Sequence, residues 1–185
     1  MSHLKNRNNM KTLLTIALTL FISNSIFSQE SLKIHWLEKY EWKLLSNQED
    51  ENMHMIELIP GKEEAENWSM LGQMLSIKGA TNIPMEKAKE LMFEQTKATA
   101  PNAKITFIEK DEDAKFPWIL FKIESPNFKG DKNPESQLWY IRQGKTALFV
   151  NFIALKKKKL KDDFVEEWSA VFKGSEVVEL TGEEE

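Results

Sequence analysis

The chain has no cysteine. Disulfides and thiol chemistry are therefore excluded, as is a lipid anchor attached to cysteine, so the fold must rest on its core. Histidine is scarce: three in 185 residues, with only His35 and His54 beyond residue 28. Zinc sites draw three or four ligands from closely spaced Cys, His and acidic residues, so zinc is disfavoured. Neither the G-x-G-x-x-G fingerprint, the P-loop nor the G-x-S-x-G elbow occurs. No apolar run reaches the roughly 20 residues that a membrane-crossing helix needs. An excess of basic charge is also lacking. The whole chain carries −4, the first 28 residues hold three basic and no acidic groups, and the remainder therefore carries −7. Binding to nucleic acid needs a basic face that neutralises phosphates, so that role is disfavoured.

What is present is apolar and aromatic. Hydrophobic residues make up 41% of the chain, charged residues 29%, and there are six Trp and eleven Phe. Aromatic side chains bury large apolar areas, so a body of this size supports one well-packed domain. The N-terminus has the layout of a secretory signal peptide. Lys5, Arg7 and Lys11 form a basic region, Leu13 to Ile22 (LLTIALTLFI) an uncharged apolar one, and SNSIFS a polar end closing on the small Ser28. Cleavage after Ser28 would leave Gln29 first. The domain division expected is a signal peptide over 1–28 and a single α+β domain over 29–185 with a frayed acidic tail. The expected location is exported, periplasmic or secreted. Met10-Lys11 is an alternative start to Met1, since MKTLLTIALTLF is complete as a signal without residues 1–9.

Beyond residue 28 the pattern alternates strands and helices. Residues 30–42 (ESLKIHWLEKYEW) mix apolar and charged positions and read as a short helix or an irregular lead-in. WKLLSNQEDENMHMIELIP reads as two strands around the turn SNQEDEN, since Asn, Asp and Ser favour turns. Trp68 to Lys78 reads as a third strand. Met85 to Thr99 follows Pro84 and carries Met85, Ala88, Leu91, Met92 and Gln95 on one face, the period of an amphipathic helix. Ala103–Glu109, Phe116–Glu124, Ser136–Arg142 and Thr146–Leu155 read as four further strands. Gln143-Gly144-Lys145 is a hairpin signal. Trp118, Ile119, Leu120, Phe121 and Ile123, and the run ALFVNFIAL, are apolar on both faces and predict central, doubly covered strands. A last helix from about Leu160 to Lys173 presents Leu160, Phe164, Trp168, Val171 and Phe172 at helical spacing, with Asp162 and Asp163 complementing its dipole. SEVVELTGEEE predicts one short edge strand. The fold class expected is α+β, an antiparallel sheet of six or seven strands flanked by helices.

The segments IELIPGKEEAENWSMLGQMLSI, MEKAKELMFEQTKAT and QLWYIRQGKTALFVNFIAL resemble the Mog/PsbP-like fold superfamily, in particular small exported bacterial proteins of the DcrB and LpqN type and secreted proteins of the Bacteroidetes. The resemblance covers the middle and much of the C-terminal half. It implies an antiparallel sheet between helical layers. It implies no catalytic residues, and the lipid anchor of the DcrB type does not carry over because its cysteine is absent.

Candidate chemistry is sparse. His54 stands beside Met53, Met55 and Ile56, without the carboxylate and nucleophile that a histidine base requires. Asp111-Glu112-Asp113 and Glu49-Asp50-Glu51 lack the alternating spacing and glycine of an EF-hand loop and read as solvated turns. Asp162/Asp163 and Glu166/Glu167 are adjacent on one helix, whereas glycosidase carboxylates face each other across a cleft. No catalytic, cofactor-binding or metal residues are expected, and no cofactor. Lys156, Lys157, Lys158 and Lys159, extended by Lys161, form the one basic run, which fits either an anionic partner or a solvated loop guarding a hydrophobic strand. Trp139 and Ile141 point to one face of their strand, Tyr140 and Arg142 to the other. Tyr140, Arg142 and Lys156–Lys159 are therefore the candidate interaction surface. In HMIELIPGKEEAENWSM, Trp68 reads as a core anchor, with a cost of ~3–5 kcal/mol on truncation to Ala. Together these features point to an exported, non-enzymatic binding or accessory module whose partner is a cell-envelope protein. The alternatives are a carrier of a small apolar ligand or lipid, which requires a cavity, and a hydrolase with a nonstandard site, which requires convergent polar groups.

Overall fold

A computed structural model of the chain describes residues 29–180. The expected signal peptide over 1–28 and the tail beyond Leu180 lie outside these residues. Nine strands and two α-helices follow in the order β1 (Gln29–Lys33), β2 (Lys43–Glu49), β3 (Met53–Ile59), β4 (Met70–Lys78), α1 (Met85–Thr99), β5 (Lys104–Asp111), β6 (Trp118–Ser125), β7 (Glu135–Gln143), β8 (Ala147–Leu155), α2 (Asp162–Lys173) and β9 (Glu176–Leu180). Single turns of 3-10 helix lie at Glu38–Tyr40 and Ala65–Asn67. The main sheet has seven strands in the order β2-β3-β4-β8-β7-β6-β5, and every neighbouring pair is antiparallel. It is built from two meanders, β2-β3-β4 and β5-β6-β7-β8, joined where β4 pairs with β8. Helix α1 crosses one face to carry the chain from β4 to the far edge at β5.

Side-chain alternation divides the sheet into two cores. On the α1 face, Ile119, Phe121, Trp139, Ile141, Val150 and Phe152 pack with Met85 and Ala88. On the α2 face, Leu120, Leu138, Tyr140, Phe149 and Ile153 pack with Trp168 and Phe172. Strand β8 lies fourth of seven and is buried along its whole length, as its unbroken apolar run requires. Strand β6 is likewise covered on both faces, although it stands next to the edge strand. The bounds of α1 coincide with the expected ones, because Pro84 opens it and Ala100-Pro101 closes it. Its apolar face is narrower than expected. Leu91 is 41% exposed, while Met92 and Phe93 pack on the core.

The ends of the chain depart from expectation. Residues 30–42 form no α-helix. Gln29 to Lys33 pair antiparallel with β9, in the register Gln29↔Leu180 to Lys33↔Glu176, as a separate two-stranded sheet. The C-terminal strand therefore does not extend an edge of the main sheet. Leu32, Ile34 and Val177 explain this, since all three pack into the core under α2. The turn between β2 and β3 is also shorter than SNQEDEN. Ser46 to Glu49 remain in the ladder, and only Asp50 to Asn52 turn. The Asp50 carboxylate accepts the Asn52 and Met53 N–H groups at 2.7 and 2.8 Å, a local substitute for ladder bonds.

Strand β4 begins at Met70 rather than Trp68. The acidic loop before it is fixed by the Glu63 carboxylate, which accepts the Ser69 N–H at 2.7 Å. Trp68 packs against the α1-side core but is only half-buried. The Lys156 ammonium lies 3.9 Å from its ring centroid. Trp68 anchors the strand entry, but from the margin of the core.

Close approach requires glycine at Gly144 and Gly72, among other positions. An ideal Cβ on Gly144, in the β7–β8 turn, would lie 2.7 Å from Oε2 of Glu30. That buried carboxylate accepts both the Thr146 N–H and the Thr146 hydroxyl, at 2.7 and 3.0 Å, and so ties β1 to the turn. A Cβ on Gly72, in β4, would lie 2.4 Å from the Trp36 ring. Trp36 therefore lies directly on the backbone of β4. It begins an aromatic group that covers this part of the sheet: its ring stands 5.2 Å from Trp42 and 5.6 Å from Trp168.

Candidate functional site

The basic run lies where β8 leaves the sheet at Leu155. Its backbone is held at several points. The Lys156 N–H donates to Ser69 O at 3.0 Å, the Ser136 hydroxyl donates to Lys157 O at 2.8 Å, and the Leu160 N–H donates to a Glu124 carboxylate oxygen at 3.0 Å. Leu160 is buried just before α2. The loop thus presents its side chains from a fixed frame.

The four lysines are not equivalent. Lys156 turns to the α1 side, over Trp68, and its ammonium is 2.7 Å from Glu135. Lys157 and Lys159 turn to the α2 side. With Lys161 they rim a groove of about 430 Å³. The apolar lining of the groove is Tyr40, Leu155 and Phe164, and two carboxylates, Asp163 and Glu167, complete it. Among the described residues, no carboxylate lies within ion-pair distance of Lys157, Lys158, Lys159 or Lys161. By contrast, Lys39, Lys43, Lys78, Lys145, Lys156 and Lys173 each pair with a glutamate.

The groove floor is held by the aromatic group. Tyr40 stacks on Trp168 with centroids 6.0 Å apart, and Phe164 approaches the same indole at 6.1 Å. The Gly61 N–H donates to Tyr40 O at 3.0 Å, which fixes the lead-in against the turn after β3. Lys39 hydrogen-bonds Glu167, and this bond raises the Lys39 pKa above the ordinary lysine value. Glu167 is thereby neutralised, while Asp163 accepts the Phe164 N–H at 2.8 Å.

Tyr140 and Arg142 share the face of β7 that was expected, but not a surface with the lysines. Tyr140 is fully buried and stacks on Phe172 at 5.6 Å and 5°. No hydrogen bond to its hydroxyl meets ordinary geometry among the described residues, although Ser175 and Arg142 lie close enough to oppose the rise in its pKa. Burial pushes its pKa above the ordinary phenol value, against the opposing charge of Arg142. Arg142 is half-buried. Its guanidinium donates to Ser175 O at 2.6 Å and lies 5.8 Å from the Phe116 ring. It pairs in register with Phe149, near the end of β8 away from Leu155. The pair therefore fastens the end of α2 and the start of β9 to the sheet. Tyr140 drops out of the interaction surface because α2 covers it, a tertiary fact that strand alternation does not contain.

The other titratable residues fall in separate turns and pairs. His54 bonds the Asn47 side chain at 2.8 Å, and His35 is 3.5 Å from Glu176. Asp111 accepts the Asp113 and Ala114 N–H groups at 3.0 and 2.9 Å, closing its own turn. No group of three or more His, Asp or Glu side chains is placed to hold a metal among the described residues. Tyr40, Phe164 and Glu167 were not singled out from sequence as site residues. The signal for Tyr40 is the density of aromatics in IHWLEKYEW, a stretch that reads from sequence as a short helix or an irregular lead-in rather than a groove. Comparison with protein-family models and with curated proteins finds no match for the chain. None of the helices in the described residues is long and apolar enough to cross a membrane.

Proposed function

We propose that the protein is an exported, non-enzymatic binding or accessory module with a Mog/PsbP-like layered fold, docking a protein partner of the cell envelope. The layering of one helix on each face of an antiparallel sheet supports the fold reading. One observation carries the functional reading: Lys157, Lys158 and Lys159 stand exposed and unpaired on a backbone held at both ends, in a chain whose mature part is acidic. Local charge of one sign that the fold leaves uncompensated steers association with a partner of the other sign. Apart from the buried Tyr140 and the turn-closing Asp50, the groups with displaced pKa values lie in scattered surface pairs. Glu49 with Lys78, Glu86 with Lys89 and Lys110, and Lys145 with Glu179 are separate surface ion pairs, which do not converge on one reacting centre.

The test is affinity capture from an envelope extract with the tagged mature chain, beside a K157E/K159E variant. A protein retained by the parent and lost by the variant supports the reading. Equal retention by both, or no retained protein, overturns it.

A further inference from the structure

The groove beneath the lysine loop points to the chemistry of that partner. We infer that it receives an acidic peptide segment anchored by an apolar side chain. This rests on the binding-module reading and adds the ligand class.

Three features of the groove agree on a polypeptide. The ammonium groups of Lys157, Lys159 and Lys161 line one rim and have no carboxylate of their own among the described residues. Lysine ammoniums act as mobile point charges, which suits single carboxylates along a chain better than a fixed bidentate anion. The floor of Tyr40, Leu155 and Phe164 offers apolar surface beside those charges, and the volume of about 430 Å³ accommodates a short side-chain-bearing segment. The far wall carries Asp163 and Glu167, which are acceptors. A peptide supplies all the complements together: carboxylates for the lysines, an apolar side chain for the floor, and a backbone N–H donor for Asp163, Glu167 being held by Lys39. A phosphate group offers nothing to the apolar floor, and neither it nor an anionic bilayer brings an N–H donor to Asp163, the carboxylate of that wall which Lys39 does not hold. Charge complementarity therefore selects the peptide over the lipid.

The experiment uses the mature chain and a fluorescently labelled peptide alternating glutamate and leucine, read by anisotropy. Peptides alternating glutamine with leucine and glutamate with serine separate the charge from the apolar anchor. Phosphatidylglycerol vesicles are the lipid arm. The Glu-Leu peptide is expected to bind and to weaken with added salt, because exposed charges are screened. K157E/K159E is expected to weaken it by roughly tenfold or more, whereas K129E/K132E, reversing two exposed lysines elsewhere, leaves it unchanged. These lysines are exposed and unpaired, so the variants retain the fold. Equal binding of the Gln-Leu or Glu-Ser peptide overturns the inference. So does equal loss in K129E/K132E, or binding to the vesicles without binding to the peptide. If no peptide binds while K157E/K159E still loses its captured protein, the peptide inference falls and the module reading stands.

Discussion

Gly72→Ala is the sharpest probe of how the lead-in closes the sheet. The new methyl carbon would sit 2.4 Å from Cζ3 and 2.5 Å from Cη2 of Trp36. Carbon atoms pack at about 3.5–4.0 Å, so the ring must retreat by roughly 1 Å or the strand must bend. The ring has little freedom, since Trp42 and Trp168 stand 5.2 and 5.6 Å away on other sides. Overpacking of this kind costs ~1–3 kcal/mol. Gly72 has no positive φ and sits inside a strand. Alanine would therefore reduce unfolded-state entropy without backbone strain, an offset of ~0.4–1 kcal/mol. The expected net loss is about 1–2 kcal/mol, or a Tm lower by roughly 2–8 °C for a chain of this size. Chemical denaturation and thermal melts monitored by circular dichroism measure it. A double-mutant cycle with Trp36→Leu isolates the contact. In that background Gly72→Ala should become neutral or stabilising. A parent-like melt for the single variant, or an unchanged penalty in the Trp36→Leu background, refutes the reasoning.

Trp68→Ala should cost about 2–3 kcal/mol by urea denaturation, below the range for a fully buried Trp, because the ring is half-buried and also loses the Lys156 ammonium; a loss under ~1 kcal/mol would contradict the anchoring role. Tyr140→Phe should be neutral or stabilising by up to ~1 kcal/mol, since it removes a buried hydroxyl without a partner; a clear loss of stability would reveal a bond that the geometry lacks. The raised Tyr140 pKa gives a sign as well: the neutral form is favoured in the fold, so this contribution is complete below pH 10 and is lost as pH rises through the folded-state value. Tyr140→Phe should therefore flatten the alkaline loss of Tm, and an identical alkaline profile would count against it. Glu49 and Glu179 are held below the usual carboxylate range by hydrogen bonds from Lys78 and Lys145, Glu86 by Lys89, and Asp50 by the Asn52 and Met53 N–H groups. Their stabilisation is present above the ordinary carboxylate pKa and disappears as pH falls through the lowered values, so Tm should decline steadily on acidification below about pH 4. A flat or rising Tm in that window would contradict the sign.

What could be read from sequence follows from the range of the forces involved. Local signals placed α1 between Pro84 and Pro101, the β7–β8 turn at Gly144, and the doubly buried β8. Each depends on residues within a few positions of one another. Gln29 to Lys33 formed no recognisable strand signal, because their partner lies at Glu176 to Leu180 and five residues have no period to show. Tyr140 looked available because alternation puts it on a face, while only the docking of α2 decides whether that face is wet. The same limit governs the lysines. Sequence offers four equivalent residues, and the fold separates Lys156, spent on Glu135 and Trp68, from Lys157 and Lys159 at the groove.

The pairing of β1 with β9 has a consequence for the order of events during synthesis. The first strand of the described chain has no ladder partner until residues near Leu180 exist. Strand β4, complete by Lys78, likewise waits for β8. A chain emerging from its N-terminus therefore cannot close either contact early, and β2-β3-β4 is left with an open edge at β4 while β5, β6 and β7 are made. Such high-contact-order closure is slow and leaves unpaired edges exposed. The main sheet thus closes only once β8 has been made, and β1 is pinned later still, after β9.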